Sequence, residues 1–217
     1  MMVLTVTIAL LASGCKTMNR TQKGAVIGAA GGAAAGAVVG RALGNTAMGA
    51  IVGATVGGAT GAVIGNKMDK QAEEMKRVLD DAEVRREGEG IAIVFKDKVL
   101  FGFDQAALNT TAQQSLDKLD NVLLKYPDTN IEIIGHTDDK GSANYNERLS
   151  KRRAQSVADF LKTHNIPASR ITTRGMGETD PKVPNTTDEN RAENRRVEFV
   201  ITANQKMKDE AKKEAGQ

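Results

Sequence analysis

The sequence predicts an α+β fold, a two-layer α/β sandwich in which helices cover one face of a small sheet, preceded by a helical hairpin. Three observations predict it. Glycines recur every fourth residue from Gly24 to Gly44 and again from Gly49 to Gly65. From residue 90 onward, short β-rich runs alternate with two amphipathic helical stretches. Aromatics are only 3% of the 217 residues and Trp is absent, so any core is built from Leu, Ile, Val and Ala. The net charge of +3 is spread along the chain. No basic stripe with interleaved aromatics is present, which argues against a nucleic-acid partner.

The chain starts with "MMVLTVTIALLASGC", a short apolar run ending in small residues before Cys15, the pattern of a secretory signal with its cleavage site. The stretch resembles bacterial lipoprotein leaders. That resemblance implies a signal peptide over 1–14 and a diacylglycerol on the Cys15 thiol, with Lys16 in place of Asp directing the protein to the cell outer membrane. Each buried acyl methylene would contribute about 0.8 kcal/mol to the anchor. The alternative is a free, buried cysteine; with one cysteine, no internal disulfide forms.

A lipidated N-terminus and spacer occupies 15–23, and the glycine tract 24–65. The tract repeats itself, "GAVIGAAGGAAAGAVVG" against "GAIVGATVGGATGAVIG". Spacing by four aligns the glycines on one helical face, where another backbone can approach closely. Each half is about 20 residues, roughly 30 Å as a helix. With Asn45 and Thr46 as the turn, the tract reads as a glycine-zipper helical hairpin; a flexible linker would be aperiodic and Ser-rich. Residues 66–89 read as an amphipathic linker helix with Met68, Ala72, Met75, Leu79 and Ala82 on one face, stopped by Gly88 and Gly90.

Strands are expected at "IAIVF" and, after a "KDK" turn, at "VLFGF". "NTTAQQSLDKLDNVLLKY" is a helix with Ala112, Leu116, Leu119 and Leu123 in one arc. Strands follow at "TNIEIIG", "SRITTRG" and "RRVEFVITA", with a second helix from "NYNERLSKRRAQSVADFLKTH". The tail, 205–217, shows no core face and reads as a solvated end.

In that second helix Leu149, Val157, Phe160 and Leu161 define the core arc, while Arg148, Lys151, Arg152, Asp159 and Lys162 form the solvated face. Arg153 falls on the core side, as do Asn146 and Ser150. A guanidinium there needs acceptors, because an unpaired buried charge costs several kcal/mol. The loop "GHTDDKG" offers Asp138 and Asp139. Asp138 and Arg153 either form a structural salt bridge or meet a ligand that carries both charges, the carboxylate taking an ammonium and the guanidinium a carboxylate.

"GHTDDKGSANYNERLSKRRAQSV", "IPASRITTRGMGETDP" and "NRAENRRVEF" together resemble the OmpA-like peptidoglycan-binding domain shared with Pal lipoproteins and flagellar stator proteins. The resemblance covers residues 90–204, and the pattern Asn-x-x-Leu-Ser-x-x-Arg-Ala-x-x-Val runs unbroken from Asn146 to Val157. It implies a periplasmic domain of an outer-membrane lipoprotein that tethers the membrane to the cell wall. The implied ligand is the meso-diaminopimelate of the peptide stem, with Asp138 and Arg153 as anchors and Asn146 and Arg195 in support. Ala106 in "FGFDQAAL" replaces the Asn of some members, so no contact is carried over there.

Catalysis is the contrasting expectation. His136 beside Asp138 and Asp139 lacks HExxH-type metal spacing, and neither a nucleophile elbow nor a phosphate loop is present. No catalytic residue, metal or cofactor is therefore expected, and His136 reads as a loop anchor. A second alternative makes the zipper the working part, a homo-oligomer forming a pore or remodelling the membrane, with the C-terminal domain as wall anchor.

Overall fold

A computed structural model of the chain describes residues 56–102 and 104–216. The expectations for the signal peptide 1–14, Cys15, the 15–23 spacer and most of the 24–65 hairpin, including its Asn45–Thr46 turn, lie outside these residues.

Helix α1 spans Gly58–Val78, β1 Ala82–Glu87, β2 Gly90–Lys96 and a one-turn helix α2 Asp97–Leu100. Then come α3 Thr110–Lys125, β3 Thr129–Gly135, α4 Ala143–Thr163, β4 Ile171–Gly175, α5 Asp188–Asn194, β5 Arg196–Ala203 and α6 Gln205–Glu214. The five strands form one sheet in the order β1-β2-β5-β3-β4, antiparallel except for β3 and β4, which run parallel and are joined through α4. β2 and β5 are central and buried along nearly their whole length, hence their continuous apolar runs. At the edge, β4 alternates "ITTRG" between half-buried and exposed. Phe199 pairs in register with Ile93 and Ile133, and its ring meets Phe95 edge-on at 5.7 Å.

Helices α1, α3 and α4 contribute Ile64, Met68, Met75, Leu116, Leu119, Val157 and Leu161 to a single core with the sheet residues Ile91, Ile93, Phe95, Ile133 and Phe199. The α/β sandwich read from sequence is thus present, with a third helix on the covered face. The five residues placed on the solvated face of α4 are all exposed. Among the described residues no helix is long and apolar enough to cross a membrane.

Four elements differ from the sequence reading. The helix expected over 66–89 is continuous with the end of the glycine tract, starts at Gly58 and stops at Val78. Ala82–Glu87 is a strand instead, with Val84 opposite Ile93, and the two glycines that were to stop a helix make a tight hairpin turn in which Gly88 adopts φ 53°. Gly61 and Gly65 lie against this turn: a Cβ on Gly61 would sit 2.5 Å from Glu89 Oε1, and Gly65 faces Arg86. "VLFGF" is not a strand; α2 and a single bridge from Phe101 to Leu108 take its place. The tail is not solvated throughout. Asn204 caps α6 by accepting from Met207 N at 3.0 Å, and Met207 and Ala211 bury one face against α1. The core therefore extends beyond 90–204 at both ends.

The motif serine and two glycines set how α4 sits on the sheet. A Cβ on Gly135 would lie 2.2 Å from the Ser150 carbonyl oxygen, and one on Gly175 would lie 2.7 Å from Lys151 N. Ser150 Oγ accepts from Gly177 N at 2.9 Å. Backbone cannot yield as a side chain can, so Gly135→Ala is expected to destabilise the fold by about 2–3 kcal/mol in chemical denaturation. An unchanged midpoint would show that α4 has room to lift.

Candidate functional site

Strand β3 ends at Gly135, and the next residues are held by the backbone of two neighbours: His136 N donates to Arg196 O (2.9 Å) and Thr137 N to Gly177 O (2.8 Å). This delivers Asp138 to the mouth between β3, β5 and the start of α4, where Ser142 caps the helix by accepting from Tyr145 N. Asp138 turns the loop through its Oδ1, which accepts from Lys140 N at 3.0 Å, a local Asx turn. Asn146, one turn into α4, donates to the Asp138 carbonyl (3.2 Å) and to Glu178 (2.6 Å), joining the loop to the segment after β4.

All four expected residues meet here. Asp138, Arg153 and Asn146 are buried at 6%, 3% and 2% exposure, and the Arg195 side chain is 37% exposed. The direct Asp138–Arg153 salt bridge is not made. Asp138 Oδ2 instead accepts from Arg195 Nη1 at 2.5 Å. Arg153 donates from Nε to the Gln105 carbonyl (2.9 Å), sets Nη2 3.1 Å from Asp97 Oδ1 and lies 5.1 Å from the centre of the Phe101 ring. Arg195 Nε stands 4.0 Å from Asp97 Oδ2. The charges thus form a chain, Arg153–Asp97–Arg195–Asp138, with the two expected anchors at its ends.

Asp97 is the member that sequence reading missed, because "KDK" between apolar runs looks like a turn. Its place follows from the sheet: Asp97 N donates to Arg195 O at 2.9 Å, continuing the β2–β5 ladder. A carboxylate in register with the "NRR" arginines was the available signal. Burial pushes the Asp97 carboxyl up against the pull of Arg153 and Arg195, with Asp138 pushing the same way as burial. Burial likewise pushes Arg153 down, opposed first by Asp97. Asp97 Oδ1, though ion-paired with Arg153, lacks an aligned hydrogen bond among the described residues. At the rim, Tyr145 donates to Asp104 of the "FGFDQAAL" loop.

The neighbouring candidates do other work. His136 is buried within the sheet, its ring 3.9 Å from Glu198, and burial, reinforced by Arg196, pushes its pKa down to about 3. Asp139 is exposed and pairs with Arg191 at 3.1 Å. Two guanidiniums and two carboxylates are thus paired as Arg153–Asp97 and Arg195–Asp138, and Asp138 and Arg153 do not pair with each other.

The OmpA family matches residues 100–195, and the YMGG-like Gly-zipper family matches residues 1–69. The probable lipoprotein YiaD of Escherichia coli K12 is 40% identical over 119 residues, which are 55% of this chain and 54% of that protein, so the match spans about half of that relative. The outer-membrane lipoprotein YfiB of Pseudomonas aeruginosa is 38% identical over 115 residues, 53% of this chain and 68% of that protein. Among solved structures, the cell wall anchor of the T6SS from Pseudomonas aeruginosa covers 63% of this chain and 96% of its own, at 28% identity and a TM-score of 0.55.

Proposed function

Because the chain belongs to the OmpA family, we propose that it is a non-catalytic peptidoglycan-binding lipoprotein that tethers the outer membrane to the cell wall. The observation that carries this reading is the charge chain: Asp138 and Arg153 are buried at one mouth with opposite charges and are not neutralised by each other. Asp138 would take the ammonium and Arg153 the carboxylate of the amino-acid end of a meso-diaminopimelate stem. Arg195, half-exposed over both carboxylates, would swing with the ligand, and Asn146 would hold the Asp138 loop. In this reading Cys15 carries the lipid and the domain faces the periplasm; two relatives named lipoproteins and a structural neighbour titled a cell wall anchor support it.

The buried His136, set beside Arg196 and Glu198 of β5, supports binding over catalysis. The test uses the full chain in detergent with purified sacculi. Retention on diaminopimelate-type walls, release by free meso-diaminopimelate, weak retention on lysine-type walls and no soluble muropeptide are expected. Equal retention on both wall types would end diaminopimelate recognition, and released muropeptides would end the non-catalytic reading.

A further inference from the structure

Away from the charge chain, where α3 runs beside the end of α4, Asp117 and Asp120 stand one turn apart on α3 and face His164, the residue capping α4. We propose that these three side chains bind a divalent transition-metal ion of the zinc class. One donor atom from each lies within 4.8 Å of the others. His164 Nε2 is 3.4 Å from Asp117 Oδ1, close to the separation of about 3.3 Å that two ligands show on a tetrahedral ion at about 2.0–2.1 Å.

An acidic pair near a histidine is common on surfaces, but Asp120 is not a surface residue. Its side chain is 5% exposed, its Oδ2 lies 4.0 Å from His164 Nδ1, and neither oxygen accepts a hydrogen bond from the described residues. A buried carboxylate left this way is costly unless a cation meets it. A metal ion held by the three side chains would supply that positive charge.

The imidazole is already oriented. Its Nδ1 lies 2.9 Å from the Phe160 carbonyl, an acceptor that would hold the proton on Nδ1 and leave Nε2 for the metal, and its ring stacks on Phe160 at 4.1 Å. The carboxy-terminal end of α4 adds the negative end of its dipole. One nitrogen and two oxygens suit zinc-class ions better than calcium, which takes six to eight oxygens. Asp117 and His164 are half-exposed, which leaves an access route and room for water as a further ligand.

The test strips the full chain in detergent with a chelator and titrates it with zinc chloride, following heat of binding and melting temperature. One ion per chain and a rise in melting temperature of several degrees are expected. His164→Ala and Asp117→Asn, both at the exposed edge, should fold and bind at least about tenfold more weakly. Asp120→Asn should remove the zinc-induced rise while the metal-free protein melts no lower than wild type. Retention on sacculi should be the same with and without zinc, which separates this site from the wall-binding one. Absence of binding below millimolar zinc, or equal affinity in the His164 and Asp117 variants, would overturn the proposal; the latter outcome would place the ion elsewhere on the chain.

Discussion

Arg153→Ala is expected to weaken retention on diaminopimelate-type sacculi by a hundredfold or so and to cost about 2–4 kcal/mol of stability, whereas Asp138→Ala should lose binding with under about 1 kcal/mol of stability lost. The asymmetry comes from the partners. Arg153 is 3% exposed and holds Asp97, itself nearly buried. Removing the guanidinium leaves a desolvated carboxylate with only Arg195 at 4.0 Å for company. Asp138 pairs with an arginine that is 37% exposed and can return to water. The double variant Arg153→Ala/Asp97→Asn should regain most of the lost stability, because the stranded charge is gone, yet still fail to bind. Arg152→Ala, exposed on the other side of the helix, should keep both properties. If the double variant recovered binding as well as stability, Arg153 would be a scaffold for Asp97 and not a ligand anchor.

How far the sequence could carry this site depends on which contacts follow from local pattern. Arg153 was legible as buried because helical periodicity fixes the direction of every side chain on α4 once Leu149 and Val157 are placed. Its partner was not, because Asp97 comes from a strand end that is 56 positions earlier and is brought there only by the antiparallel β2–β5 pairing. The strand "TNIEIIG", with Ile131 and Ile133 alternating with polar residues and Gly135 at its end, was readable to the residue. β1 was misread because "AEVRRE" is charged at four of its six positions, three of them consecutive, and reads equally as the polar end of an amphipathic helix; pairing with β2, not intrinsic preference, decides it. Helix α6 was missed for a related reason. Two apolar residues four apart make a weak stripe, which becomes a core face only once α1 is beside it.

Acid should unfold this protein through His136, and the His136→Gln variant should lose much less stability on acidification than wild type. The imidazole is buried beside Arg196, and its pKa falls from 6.5 to about 3. The charged groups facing it are Arg196 and Glu198 on β5. The glutamate would favour the imidazolium, but Arg196 holds it at 2.6 Å. Between pH 6.5 and about 3 the unfolded chain therefore binds the proton and the folded chain refuses it, so the stability present above 6.5 is lost progressively as pH falls. From about pH 7 to pH 4 the loss assigned to this one group is about 3 kcal/mol, roughly 1.4 kcal/mol for each unit crossed below 6.5. Asp97 and Asp120 have the opposite sign, since burial raises their carboxyls and protonation favours the folded state. The comparison is therefore the difference in denaturation free energy between wild type and His136→Gln at each pH, which cancels both aspartates. That difference should shift by about 3 kcal/mol in favour of the variant between the two pH values. A flat difference would mean that the folded protein accommodates an imidazolium between Glu198 and the sheet, and that its acid limit is set elsewhere.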